Sequence, residues 1–133
     1  MVWSCSKYPI AFSTCPGCAP SRASILTGRS IWQLEEAGTH ASLFPRKFTV
    51  FPDLLAKAGY FTGLTGKGAG PTNFKATGWP HNPAGPAFDA RKAPKGPLEV
   101  SANDYAGNFD AFLARRPAGK PFFFWFGCQE PHR

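Results

Sequence analysis

The sequence predicts an α/β fold with a parallel or mixed sheet flanked by helices, and three observations carry that expectation. Pro121-Phe-Phe-Phe-Trp-Phe126 is an unbroken apolar run between turn residues, the pattern of a strand covered on both faces. Tyr105, Phe109, Phe112 and Leu113 recur at i, i+4, i+7 and i+8, which is one face of a helix. Tyr60-Phe-Thr-Gly-Leu-Thr65 reads as an earlier strand. Strand, helix and strand then make a βαβ crossover.

The remaining elements follow from punctuation. Pro20 suits the first turn of a helix and Gly28 its C-terminal stop, with Ala23, Ile25 and Leu26 between them. Cys18 therefore falls at or just before a helix N-terminus. A second helix is predicted over Pro52–Ala58 and is closed by Gly59, with Asp53 favourable in its first turn. Residues 70–97 are rich in Gly, Pro and Asn without periodicity, which predicts a long surface loop. Ser101 with Asp104 resembles a capping box for the third helix, and Arg115-Arg116 suit its C-terminal end. No internal repeat is visible.

Composition narrows the class. Of 133 residues, 43% are hydrophobic and 15% aromatic, enough for a globular body. With 14 Gly and 14 Pro, however, much of the chain must be connection. That balance fits a piece of a larger α/β domain, with residues 1–133 forming one unit of it. The net charge of +7 reads first as ordinary solubility charge, with attraction to anionic partners as the functional alternative. Because the Lys and Arg residues are scattered and form no basic helix, nucleic acid is not an expected partner. Phe122 to Phe126 is far too short to span a membrane, and Met1-Val-Trp-Ser-Cys-Ser-Lys lacks the apolar core of a signal peptide. Cys15-Pro-Gly-Cys18 has the spacing of a zinc knuckle or a redox pair, without a second such pair. Cys128, after the apolar run, reads as a buried thiol.

In an open parallel sheet, ligands bind beyond the carboxyl ends of the strands. Lys67 lies just past the first strand and Gln129-Glu-Pro-His132 just past the second. A helix N-terminus carrying Cys18 and Arg22 can reach the same edge. Cys18, Arg22, Lys67 and His132 would then set a nucleophile among cations and helix-end amides, a site for a tetrahedral anion. His40 and His81 fit no motif and are expected as solvated loop residues.

Those residues resemble a known family. Cys18-Ala-Pro20-Ser21-Arg22 followed by Thr27-Gly28-Arg29 is similar to the sulfatase signature, with six positions agreeing between Cys18 and Gly28. Phe51 to Tyr60 resembles the family's helix leading to a strand, and Gly66-Lys67 its active-site lysine motif. Lys120 to Arg133 resembles the strand ending in a Pro-His pair, closest to the heparan N-sulfatase-like branch. The resemblance spans Ala11 to Arg133 and implies part of an alkaline-phosphatase-like N-terminal catalytic domain. It implies that a formylglycine-generating enzyme, reading Pro20, Ser21 and Arg22, converts Cys18 to formylglycine. The hydrated aldehyde would then attack the sulfur of a sulfated small molecule or sugar. Arg22 would support the hydrate, Lys67 and His132 would bind sulfate and assist the leaving group, and Ca²⁺ would be held in part by the modified Cys18. Family habit implies a secreted, periplasmic or lysosome-like compartment.

The pattern also departs from the family. Paired metal-binding aspartates are expected upstream of the signature, where this chain has no acidic residue, and a further metal pair is expected downstream of Arg133. Many relatives carry histidine two positions after the motif lysine; here stands Ala69. A sulfatase fragment inactive by itself is the resulting expectation. Three alternatives stay open: a phosphate or phosphonate ester hydrolase of the same superfamily, a zinc or disulfide module on Cys15 and Cys18, and a non-catalytic remnant.

Overall fold

A computed structural model describes residues 13–94 and 100–130. Three helices, α1 (Cys18–Thr27), α2 (Phe51–Lys57) and α3 (Tyr105–Arg115), accompany two strands, β1 (Phe61–Gly66) and β2 (Phe122–Gly127). The strands pair in parallel from Phe61 opposite Phe122 to Gly66 opposite Gly127. Parallel neighbours need a crossover, and α3 lies in it, as the sequence predicts.

Alternation along β2 sends its aromatic rings to opposite faces. Phe122 and Phe124 meet Phe112 of α3, with ring centroids 5.7 and 4.7 Å away. Phe123 meets Phe51 of α2 from the other side at 5.0 Å. The sheet is thus sandwiched, and Phe112 is fully buried. A second core joins Ala23 and Leu26 of α1 to Leu34, Phe44, Val50 and Leu64.

The capping prediction needs correction. Asp104 itself is the N-cap of α3, its carboxylate accepting from the Gly107 N–H at 2.8 Å. The Ser101 hydroxyl instead accepts from the Asn103 N–H. An Asp directly before the first helical residue reaches the third helical amide without help from Ser101.

The described part of residues 70–97 is an irregular loop, as expected, but it does not lie wholly on the surface. Trp79 is 4% exposed and Ala84 fully buried. The Trp79 indole N–H donates to the Phe44 carbonyl at 2.8 Å, and its ring packs edge-on against Phe44. Further on, the Leu64 N–H donates to the Pro86 carbonyl at 2.9 Å, and the Phe88 N–H donates to the Leu64 carbonyl at 2.8 Å. The segment lies along the edge of β1 away from β2 because buried backbone groups there need partners. Aperiodic sequence concealed an almost strand-like role.

Polar groups are buried beside it. Asp89 accepts from the Thr65 hydroxyl at 2.9 Å and the Gly66 N–H at 2.7 Å, while Asn103 donates to Thr65 Oγ1 at 2.9 Å. Asn108 of α3, almost fully buried, donates to Asn103 Oδ1 and the Arg91 carbonyl, and accepts from the Arg91 N–H. These bonds lock the segment after β1 to both β1 and α3.

Two further expectations change. The apolar run is not covered throughout: Phe122 and Phe126 are 41% and 60% exposed. They border an apolar groove of about 500 Å³ beside Tyr105 and Phe109. The cause is that α3 covers the middle of β2, and Tyr105, its first residue, reaches Phe126 only edge-on. Cys128, which lies past the end of β2, is half-buried rather than buried.

Candidate active site

The amino end of α1 is set by Gly17, an extended N-cap without a side-chain acceptor, whose carbonyl takes the Ser21 N–H at 3.0 Å. Cys18 is the first helical residue, and Ala19, Pro20, Ala23 and Leu26 bury the helix behind it. Gly28, in the left-handed conformation at φ 67°, ends it. Cys18 therefore stands half-buried among helix-end amides with no acidic residue in the first turn. That is a positive electrostatic environment.

Lys67 is delivered to the same place by backbone geometry. Gly66 turns out of β1 at φ 74°, and the Lys67 N–H donates to the Gly127 carbonyl at 2.6 Å. The approach tolerates no side chain on Gly127, where a Cβ would lie 2.0 Å from the Lys67 carbonyl oxygen. That carbonyl accepts from Arg22 Nη1 at 2.7 Å and from the Trp125 indole at 3.1 Å. The Arg22 guanidinium also lies 6.0 Å from the centre of the Trp125 ring. Arg22 thus holds the turn that carries Lys67.

Cys18, Lys67, His40 and Gln129 line one pocket of about 420 Å³, closed by Gly70 and Pro71. Among the described residues no carboxylate lines it. An adjoining pocket of about 390 Å³ shares Cys18 and adds Cys15, Ser21, Arg22 and Trp125. A cationic cavity of this kind, with a helix N-terminus and an ammonium, suits an anion of the size of sulfate or phosphate.

Gln129 is held there by α3. The Tyr105 hydroxyl accepts from the Gln129 N–H at 2.8 Å and donates to Glu130 Oε2 at 3.0 Å. Glu130 Oε1 accepts from the Ser101 N–H at 2.7 Å. These hydrogen bonds, led by that from Ser101, hold the Glu130 carboxyl below its ordinary range.

Of the sequence-predicted site, Cys18 and Lys67 are brought to one pocket and Arg22 to its neighbour, while His132 lies outside the described residues. Ala69 is fully buried, its N–H donated to Asn82 Oδ1 at 3.0 Å. His40 was expected as a plain loop residue but shares the pocket of Cys18 and Lys67. No motif announces it; only the folded chain brings residue 40 to residue 18. His81 lies apart, its Nδ1 2.9 Å from the Asn82 carbonyl. Cys15 and Cys18 are both free thiols.

A calcium ion takes roughly six to eight oxygen ligands. Among the described residues no three His, Cys, Asp or Glu side chains gather to hold a metal. The described residues therefore do not by themselves fit a calcium site. No helix among them is long and apolar enough to cross a membrane.

This arrangement, a cysteine at a helix end lining one pocket with a lysine past a parallel strand, defines an α/β protein with a pocket at the strand ends. The family's sequence profile makes the class definite: the sulfatase profile matches residues 7–133, and the chain belongs to the sulfatase family. Members of this family typically bind a divalent metal, and the family implies a hydrolase acting on sulfate esters. No curated protein and no solved structure matches the chain.

Proposed function

We propose that this chain is part of the N-terminal catalytic domain of a sulfuric ester or N-sulfate hydrolase whose nucleophile is a formylglycine made from Cys18. The observation that carries this reading is the pocket shared by Cys18 and Lys67, in which no carboxylate stands among the described residues. A formylglycine-generating enzyme, using an external oxidant, would convert the thiol to an aldehyde. The hydrate carries two hydroxyls on one carbon. One forms a bond to sulfur as the bond from sulfur to the leaving oxygen or nitrogen breaks. The second hydroxyl then loses its proton, the aldehyde re-forms, and sulfate departs.

Lys67 binds the sulfate oxygens and offsets charge that builds there, where fixed cations contribute most. Arg22 supports the site through the Lys67 carbonyl, and in the hydrated state its charge also favours the ionised hydroxyl. His132 is the proposed second sulfate ligand. Calcium is the proposed metal, and the resemblance implies that its remaining ligands would be acidic residues outside this chain. The Lys120 to Arg133 resemblance supports an N-sulfated or otherwise sulfated sugar as substrate.

Mass spectrometry of the Cys18 peptide, after co-expression with a formylglycine-generating enzyme, tests the reading. An aldehyde at Cys18 that a hydrazide traps and the Cys18→Ala variant lacks is the expected result. An unmodified thiol, with a control peptide converted in parallel, would remove the first chemical step.

A further inference from the structure

His40 has a place in the structure that no motif assigned to it. Its side chain is exposed at the mouth of the pocket lined by Cys18, Lys67 and Gln129. The segment carrying it is held on both sides. Before it, a 3₁₀ turn over Glu35–Gly38 packs so closely that a Cβ on Gly38 would lie 2.3 Å from the Ile31 carbonyl oxygen. The Thr39 N–H and hydroxyl both donate to the Glu36 carbonyl, at 3.1 and 2.8 Å. After it, Ala41 adopts a left-handed φ of 55°, and the Ser42 carbonyl accepts from the Asn73 N–H at 2.8 Å. That last bond ties the His40 segment to the stretch that supplies Gly70 and Pro71 to the pocket wall. An alanine in the left-handed region is retained only where its surroundings determine it.

The lining divides by chemistry. From α1 comes the side chain of Cys18, which becomes the nucleophile in the reading above. From the turn after β1 comes the ammonium of Lys67, a point charge with three donors and no acceptor. From the end of β2 comes Gln129, which hydrogen-bonds but does not exchange protons. Imidazole is the one group of the four that gives and takes protons near neutrality. Among the described residues no carboxylate pairs with His40.

We propose that His40 is a further catalytic residue of this pocket, contacting the bound sulfate beside Lys67 and giving a proton to the departing group. This rests on the sulfatase reading of Cys18. As the hydrate oxygen forms its bond to sulfur, the bond to the leaving oxygen breaks and its electron pair stays on that oxygen. The oxygen takes the imidazolium proton and leaves as the neutral alcohol. The neutral imidazole regains a proton from water. For an N-sulfate the same proton goes to the departing nitrogen.

The test is an NMR pH titration of the imidazole C–H resonances of the whole chain, with and without inorganic sulfate. His40, His81 and His132 are assigned by single His→Gln variants. Sulfate should move the His40 resonance and raise its titration midpoint, because an adjacent anion favours imidazolium. His81 should not respond, and Lys67→Ala should abolish the effect on His40. His40→Gln should weaken sulfate binding by about tenfold, the loss of one charge-assisted hydrogen bond. A His40 midpoint that ignores sulfate overturns the proposal, as does an equal response from His81. The Cys18 peptide keeps the two readings apart. An aldehyde there with a silent His40 sinks only the role of His40. A sulfate-responsive His40 without the aldehyde sinks the formylglycine route and leaves an anion pocket.

Discussion

Arg22 Nη1 donates to the Lys67 carbonyl at 2.7 Å, so the helix that presents Cys18 also fixes the turn that presents Lys67. Forty-five residues separate the two in sequence, and one charged hydrogen bond joins them. Removing the guanidinium leaves the carbonyl, among the described residues, the indole of Trp125 as its side-chain donor. Arg22→Met should cost about 2 kcal/mol of folding stability, read from denaturant midpoints. Arg22→Lys should recover little of it, because an ammonium cannot both reach the carbonyl and lie flat over Trp125. If Arg22→Lys is as stable as the parent, the hydrogen bond does not hold the turn.

Gly127 sets how closely the Lys67 turn approaches β2. A methyl group there would sit 2.0 Å from the Lys67 carbonyl oxygen, which is backbone and cannot swing aside. Gly127→Ala should destabilise by roughly 3 kcal/mol through forced displacement of the turn. Sulfate affinity should fall with it. Thermal melts and sulfate titration on one sample check both effects. Unchanged sulfate affinity in a destabilised variant would separate the turn from the pocket.

The buried amide of Asn108 makes three hydrogen bonds, two to the backbone of Arg91 and one to Asn103. Asn108→Ala strips the partners from the Arg91 N–H and leaves a small cavity. The expected loss is about 2 to 3 kcal/mol, the cost of the hydrogen bonds of a buried amide plus lost packing. Hydrogen exchange at Arg91 gives a local readout that a general loss of packing would not single out.

Glu130 links acidity to the end of β2. Its folded pKa lies below the ordinary 4.5, with the Ser101 hydrogen bond the leading cause. The sign follows: the unfolded chain binds the proton more readily, so this stabilisation is present above the unfolded pKa. It is lost as pH falls through the folded value. The protection of the Ser101 and Gln129 amides, taken relative to their intrinsic exchange rates, should therefore fall in acid below that ordinary value. Glu130→Gln should remove the pH dependence. An acid loss of protection that persists in Glu130→Gln would assign it to another carboxylate.

Local chemistry explains what could be read in advance. Pro20 and Gly28 delimit α1 because a proline ring suits a first turn and a glycine tolerates the left-handed stop. α3 appeared as a repeat of aromatic rings because its buried face is apolar. Asn108, beside that face on the same helix, and Asn103, just before the helix, gave no signal, since a sequence does not show which amides will find partners. Trp79 and Ala84 were hidden for a related reason: a proline-rich stretch lacks periodicity whether it is solvated or packed. The run from Phe122 to Phe126 suggested full burial, but apolarity reports a preference, and the available neighbours decide the coverage.

The sequence by itself determined the class of this protein, because the signature around Cys18 is contiguous and its residues lie within one helix. It also determined the crossover, since periodicity is a local property. Only the tertiary structure decided that Arg22 braces the Lys67 turn and that Asp89 anchors the start of that turn. Only it brought His40 beside Cys18 and Lys67. Those relations depend on backbone approach between segments distant in the chain, where the absence of a Cβ at Gly127 counts for as much as any side chain.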